Sequence, residues 1–186
     1  MSVATPDGAR FPYNWGATAL EVAARFPCDR YAPDPDVVLW RAVDVAAPPA
    51  TVFRWLQQLR IAPYSYDLVD NFALRSPRRL TPRAAILVPG QRIMHVFRLL
   101  EFDPPRTLTI GPGAAAGVKL FGALHGTYVV SEAAGGSRLV VKVCANVGSA
   151  WYARAYLRAL PLLDFVMMRK QLLTLKACAE RSTRRG

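Results

Sequence analysis

The C-terminal part of this 186-residue chain most limits what it can fold into. Residues 161–181 begin with a proline and continue without glycine or a second proline, which predicts a helix with Pro161 in its first turn. An apolar residue recurs at every third or fourth position of this helix: Phe165, Met168, Leu172, Leu175 and Ala179. Such an amphipathic helix buries its apolar stripe on a sheet, and a gap between the two forms a hydrophobic pocket.

The segments before this helix predict an antiparallel sheet. Two hairpins follow an early strand and helix, and a second helical stretch (151–160) leads up to Pro161, which restarts or kinks the helix. The predicted strands are 37–45, 92–103, 107–110, 125–132 and 138–146, and the predicted helix after the first strand is 51–59. This order of elements is typical of an α+β fold with the helices gathered on one face of the sheet.

The N-terminal residues read as an arm. Thr18 followed by Glu21 is a capping-box pattern, which predicts a short helix within residues 17–26. We therefore divide the chain into an arm (1–36), one α+β domain (37–182) and a short basic tail (183–186).

Composition limits the compartment and the partners. A hydrophobic fraction of 52% predicts a globular protein with a sizeable core. The odd number of cysteines (Cys28, Cys144 and Cys178) has no metal-ligand spacing, which argues against a disulfide framework or a zinc site and favours a reducing cytoplasm. The first ten residues lack a basic region followed by an apolar run, so no signal peptide is expected. No transmembrane segment is expected either, because the longest apolar-rich stretch (110–124) is interrupted by Pro112 and Lys119.

The net charge of +11 comes from 24 Lys and Arg residues against 13 Asp and Glu residues. Such a surface attracts nucleic acid, anionic lipid or acidic ligands. The alternative is an arginine-rich codon usage without functional meaning. No P-loop, dinucleotide fingerprint or nucleophile elbow is present, and the basic segment 75–83 lacks interleaved aromatic residues, so no specific nucleic-acid site and no cofactor is expected.

The sequence around the first strand and helix resembles that of the SRPBCC superfamily, which is the group of START-like, polyketide cyclase and lipid-transport proteins. The resemblance rests on strand 37–45 leading through Ala47-Pro48-Pro49 into the helix of residues 51–56, with supporting text at 15–18, 64–67 and 102–106. It is similar to a bacterial branch of that superfamily. The resemblance implies a helix-grip fold, in which a curved antiparallel sheet wraps the C-terminal helix and leaves a cavity for an apolar or amphipathic small molecule. It implies no shared catalytic residues.

Three polar residues after the first helix are candidates for the mouth of such a cavity: Tyr64, Tyr66 and Asp67. Phenols and a carboxylate there orient a ligand through apolar rings with hydrogen-bonding tips. The alternative is that the tyrosines pack on the sheet and Asp67 caps a short helix.

Two cations, Arg169 and Lys176, border the apolar stripe of the last helix. Each of these residues either binds an anionic group of the ligand or lies with its apolar stem over the core and its charged end in water. His95 shares a strand face with Ile93, Phe97 and Leu99 if residues 92–103 are one strand, which makes it an inward histidine or a general base.

The leading hypothesis is a cytoplasmic protein, without cofactor or metal, that binds a hydrophobic or amphipathic small molecule between the sheet and the last helix. Its expected cavity walls are Phe97, Val129, Val141, Phe165, Met168 and Leu172, with Tyr64, Tyr66 or Arg169 orienting the ligand. The alternative is a cyclase or dehydrase in which His95, Tyr66 or Asp67 moves protons. A third hypothesis is a basic module for nucleic acid or anionic membranes. Sequence leaves the oligomeric state open.

Overall fold

The computed structural model describes residues 10–65, 76–113, 118, 122–147 and 152–184. Its helices are α1 (Ala19–Ala23), α2 (Pro49–Gln57) and α3 (Ala153–Thr183), with 3₁₀ turns at Pro27–Arg30, Gln58–Arg60 and Pro82–Ala85. Its strands are β1 (Asn14–Trp15), β2 (Val37–Val45), β3 (Arg92–Ile93), β4 (Phe97–Asp103), β5 (Thr107–Pro112), β6 (Ala123–Ala133) and β7 (Gly136–Asn146). Among these described residues, no helix is both long and apolar enough to cross a bilayer.

The strands form one seven-stranded sheet in the order β1-β2-β7-β6-β5-β4-β3. Neighbouring strands are antiparallel, apart from β1, which lies parallel to β2. The sheet is open and curved, and α2 and α3 pack on the same face of it, which we call the inner face. This confirms the predicted α+β, helix-grip architecture.

Side chains alternate across the long β6–β7 hairpin. Leu139 and Val141 face α2 and α3, whereas Val140 and Cys144 face away from them. The inner face carries the main core, in which Trp55 and Leu56 of α2 meet Leu172 of α3. Both sides of the central strands are therefore buried, and in β2 every residue except Asp44 is buried.

The N-terminal arm covers the outer face. Thr18 and Glu21 form the predicted capping box: Glu21 N–H donates to Thr18 Oγ1 at 3.2 Å and Thr18 N–H donates to Glu21 Oε2 at 2.7 Å. Arg138 of β7 then ties the arm to the sheet by an ion pair with Glu21 at 2.7 Å. The buried side chains under the arm include Phe26, Cys28 and Trp40. The division into arm, domain and tail stays a prediction.

The C-terminal helix is longer than predicted. α3 begins at Ala153 and continues through Pro161, so the expected restart of the helix at this proline is wrong, whereas the alternative of a kink stays a prediction. Proline lacks an N–H and leaves the carbonyl of Leu157 without its helical donor. Leu157 and Leu160, just before Pro161, pack with Leu39 of β2, and this burial stabilises the helix on the N-terminal side of the proline.

The predicted strand 92–103 is interrupted. β3 ends at Ile93, and Met94 and His95 adopt positive φ values of 45° and 63° before β4 begins at Phe97. The alternation expected for His95 is therefore wrong, because the chain turns at this residue and its side chain is exposed.

Candidate ligand groove along the C-terminal helix

A buried ion pair fixes α3 on the sheet. Arg41 of β2 is fully buried and lies 2.8 Å from Asp164 of α3, measured from Nη2 to Oδ2. Arg41 Nη2 also donates to the carbonyl oxygen of Pro161 at 3.1 Å. Its Nη1 donates to the carbonyl oxygen of Tyr13 at 2.9 Å. One guanidinium thus joins β2, the arm and the middle of α3.

Burial dominates the electrostatics of this pair. It raises the pKa of Asp164 to about 6, against an ordinary value of 3.8, although the Arg41 guanidinium acts in the opposite direction. Burial also lowers the pKa of Arg41, and Asp164 opposes this shift. The attraction between the two charges therefore does not offset the cost of removing the carboxylate from water.

A second polar link lies further along the helix. The Tyr128 hydroxyl of β6 donates to Gln171 Oε1 at 2.7 Å, and Gln171 Nε2 donates to the carbonyl oxygen of Pro63 at 2.7 Å. Burial raises the pKa of Tyr128, so this phenol stays protonated and acts as a donor. These bonds hold the inward face of α3 and determine which of its residues face outward.

The adjacent face of α3 borders a groove of about 390 Å³, which we call the helix groove. Its described lining combines apolar side chains with cations: Phe165, Val166, Leu173, Thr174, Ala177, Arg78, Arg169 and Lys170. The volume is in the range of small-molecule sites. Val166 and Leu173 are 42% and 36% exposed, so the groove offers apolar surface that the described residues do not cover.

Residues of the arm contact two side chains that line the helix groove. Phe165 packs edge-on against Phe11 and Trp15, with ring centroids 4.9 and 6.0 Å apart. The Arg169 guanidinium lies over the Trp15 ring at 5.9 Å. These contacts fix the direction of Phe165 and Arg169 while Arg169 remains exposed to a ligand.

A second groove, of about 580 Å³, lies beside the C-terminal end of α3 and shares Arg78 with the first. We call it the basic groove. Its described lining is Arg54, Trp55, Arg78, Arg79, Leu80, Cys178, Arg181 and Ser182. Its rim is cationic, with four arginines among these residues. Arg78 thus stands where two cation-rimmed grooves meet.

The structure places two of the predicted ligand-binding residues, Phe165 and Arg169, together in the helix groove. Three others, Val141, Met168 and Leu172, are buried in the core between the sheet and α2 and α3. Packing among described residues fills the positions where we expected a cavity wall.

The other predicted wall residues separate further. Val129 pairs with Val140 and packs on the outer face, so it cannot share a wall with α3. The prediction chose the wrong parity, since Tyr128 and Val130 are the inner residues of β6. Phe97 is partly buried against the main core. Tyr64 is 1% exposed and packs edge-on against Trp55, which fits the packing alternative rather than a cavity mouth.

The remaining candidates do not converge on the groove. Lys176 donates to the carbonyl oxygen of Asp44 at 2.5 Å and lies 3.4 Å from Glu180, so it is tied to the end of β2 rather than placed beside Arg169. His95 is exposed in the β3–β4 turn. Tyr66 and Asp67 lie outside the described residues.

Sequence reasoning assigned no role to Arg41, Asp164, Gln171 or Lys170, and it considered Arg78 only as part of the basic segment 75–83. One signal for Arg41 was available, because a charged residue within the apolar run of β2 requires a buried partner. Its partner Asp164 is distant in the chain and carries no local signal.

No family model matches this chain, and no curated protein matches it. Among solved structures, protein NE0264 from Nitrosomonas europaea is similar at 12% identity and a TM-score of 0.48, covering 78% of this chain and 95% of that one. TTHA0849 from Thermus thermophilus is similar at 18% identity and a TM-score of 0.48, covering 79% and 98%. The di-domain ARO/CYC protein StfQ of the steffimycin biosynthetic pathway has 14% identity and a TM-score of 0.49, covering 78% and 51%. Similarity of this degree assigns no activity, and the helix-grip assignment rests on this chain's own sheet and C-terminal helix.

Proposed function

We propose that this protein binds a small amphipathic molecule with an anionic group, and that the helix groove is its binding site. The observation that carries the proposal is the lining of that groove, where Val166 and Leu173 are exposed apolar side chains beside Arg169 and Lys170. An apolar chain removes the aliphatic surface from water, and the cations receive the charged end.

The sign of the ligand charge follows from the lining. The titratable groups among the described lining residues are Arg78, Arg169 and Lys170, all cationic. An uncharged ligand would leave these cations without a partner in the groove, whereas a carboxylate or phosphate accepts charge-assisted hydrogen bonds from them. Arg78, at the junction with the basic groove, is the expected contact of the anionic end.

The residue types that line the helix groove also favour ligand binding over catalytic turnover. Acid–base catalysis needs a group that gives up and regains a proton near neutral pH. The described lining of the helix groove has cations but no carboxylate, imidazole or phenol. The cyclase alternative therefore has no supporting observation in this groove.

The test is the binding of decanoate and of decanol, its uncharged counterpart, by isothermal titration calorimetry. We expect decanoate to bind and decanol to bind more weakly by roughly tenfold or more, the value of a charge-assisted contact. The double variant Arg78→Gln/Lys170→Gln changes two exposed residues and should remove most of this preference while leaving decanol binding unchanged.

The matched control is Arg158→Gln, an exposed arginine of α3 outside the groove lining. It removes the charge of one residue from the same helix and should leave the preference for decanoate intact. Leu173→Ser should weaken both probes, because it removes apolar wall. Equal affinity for the two probes, or a decanoate preference that the double variant retains, would overturn the proposal.

A further inference from the structure

Two cysteines and an aspartate meet on the outer face, on the opposite side of the sheet from the helix groove. Cys28 and Asp29 lie in the 3₁₀ turn Pro27–Arg30 of the arm, and Cys144 lies in β7. Both cysteines are free thiols and 0% exposed. We call Cys28, Asp29 and Cys144 the thiol cluster.

The geometry of the thiol cluster fits a metal ion. The two Sγ atoms and an Asp29 carboxylate oxygen all lie within 4.8 Å of one another. Zinc–sulfur bonds of about 2.3 Å and zinc–oxygen bonds of about 2.1 Å place tetrahedral ligand atoms roughly 3.5–3.8 Å apart, so only a small contraction is needed. Two thiolates and a carboxylate are ligands of Zn²⁺, whereas Mg²⁺ and Ca²⁺ prefer oxygen alone.

Neighbouring groups orient these ligands. Phe26 N–H donates to Asp29 Oδ2 at 2.9 Å, which leaves Oδ1 directed toward Cys144 Sγ at 3.8 Å. Cys28 is fixed through its own N–H, which donates to Thr127 Oγ1 at 2.9 Å. Bonds of this kind, from outside the ligand set, are what hold metal ligands in a fixed position.

A cation already stands beside the carboxylate. The Lys142 ammonium lies 2.7 Å from Asp29 Oδ1 and over the rings of Phe26 and Trp40, at 5.6 and 5.8 Å from their centroids. A divalent ion bound by two thiolates and one carboxylate carries a net negative charge. The Lys142 ammonium compensates that charge and makes the occupied cluster neutral, which suits a buried position.

His125 of β6 is the candidate for a fourth ligand, although its ring nitrogens lie outside the 4.8 Å group of the other three ligand atoms and its side chain has to move toward them. His125 is the direct cross-strand partner of Cys144, so the two side chains emerge side by side on the outer face. Its Nδ1 is buried and has no hydrogen-bond partner among the described residues, and its ring stacks on Tyr31. Asp29 and His125 are both partly exposed, which gives an ion a route to the buried thiols.

We propose that Cys28, Cys144 and Asp29 bind one Zn²⁺ ion, with His125 as the fourth ligand. Each thiol releases its proton when its sulfur binds the metal, so two protons leave per ion bound. The ion joins the arm to β6 and β7 and is independent of ligand binding in the helix groove.

The test uses Co²⁺ as a spectroscopic probe for Zn²⁺ in the reduced, full-length protein. We expect a thiolate-to-cobalt charge-transfer band in the near ultraviolet and intense visible bands of tetrahedral cobalt, saturating at one ion per chain and abolished by Zn²⁺. Zn²⁺ should also raise the Tm, because it binds only the folded arrangement. No charge-transfer band at a several-fold excess of Co²⁺ overturns the proposal without recourse to any variant.

Variants then locate the ion. Cys28→Ser and Cys144→Ser should each abolish the charge-transfer band or lower the affinity at least a hundredfold. His125→Phe keeps a ring for stacking on Tyr31 and should weaken binding at least tenfold and alter the visible bands. Cys178→Ser is the matched control, since it removes a third buried cysteine that lies in α3. A charge-transfer band that survives Cys28→Ser, or one that is lost with Cys178→Ser, contradicts the assignment. The assignment is also contradicted if Cys28 and Cys144 form a disulfide in air while the reduced thiols bind no metal.

Discussion

At the residue scale, the protonation of a single carboxyl group, that of Asp164, makes the free energy of unfolding depend on pH. Its folded pKa of about 6 lies above the ordinary 3.8, so between these values the folded state keeps a proton that the unfolded chain has released. The free energy of unfolding therefore falls as pH rises through this window and is level above it. The side chain of the Asp164→Asn variant does not ionise. Its free energy of unfolding, relative to that of the wild type, should therefore rise by about 2–3 kcal/mol between pH 4 and pH 7.

Urea unfolding from pH 4 to pH 8 measures this difference. Asp103→Asn provides the comparison for the loss of a carboxylate alone, because Asp103 is exposed at the end of β4. If the wild type instead becomes more stable relative to Asp164→Asn as pH rises, the attraction between Asp164 and Arg41 outweighs the cost of burying the carboxylate. That outcome would contradict our account of the pair.

Residue-scale prediction from sequence succeeded where the determinant was local. The Thr18–Glu21 capping box is confirmed because its donors and acceptors lie within three positions. Val129 was assigned to the inner face and lies on the outer one, because β6 is apolar on both faces and the pattern alone does not reveal its parity. The thiol cluster had no signal, since Cys28 and Cys144 meet only through the pairing of the arm with the sheet.

At the scale of elements, α3 contains a proline that its neighbours have to compensate. An interior proline costs a helix about 3 kcal/mol. Pro161→Ala restores an N–H for the carbonyl of Leu157 and keeps the carbonyl that Arg41 uses. The variant loses two buried ring methylenes, worth about 0.8 kcal/mol each, so we expect a net stabilisation of roughly 1–2 kcal/mol in urea unfolding.

Pro49→Ala is the control for this substitution. Pro49 occupies the first turn of α2, where the missing N–H costs nothing. It should give no gain. If Pro161→Ala destabilises the protein, the ring itself contributes packing that outweighs the restored hydrogen bond.

Elements whose boundaries depend on local chemistry were predicted well. The strand 37–45 coincides with β2, and the glycine-containing turn of the β6–β7 hairpin lies where it was expected. The start of α3 was placed at Pro161 because a proline in the first turn and a proline inside a helix look alike in sequence. Only the packing of Leu157 and Leu160 on β2 distinguishes them. The turn at Met94 and His95 likewise has no glycine to mark it.

The net charge acts at the scale of the whole molecule. At +11, the protein attracts any anion in dilute salt, including a membrane surface or a nucleic acid. This attraction decays within about 8 Å at physiological ionic strength, so it does not by itself create a site. The helix groove differs because an apolar wall lies beside its cations, and burial of an alkyl chain does not depend on salt in this way.

Salt therefore separates site binding from general attraction. Between 20 mM and 500 mM NaCl, we expect decanoate affinity to fall by roughly tenfold and to remain measurable, because its alkyl chain still binds the groove. Co-sedimentation with phosphatidylserine-containing vesicles should fall to background over the same range. Arg106→Gln, which removes an exposed charge at the β4–β5 turn, should weaken both only slightly. If decanoate binding disappears together with vesicle binding, the chain acts as a basic surface, and the groove adds nothing to the attraction that its net charge supplies.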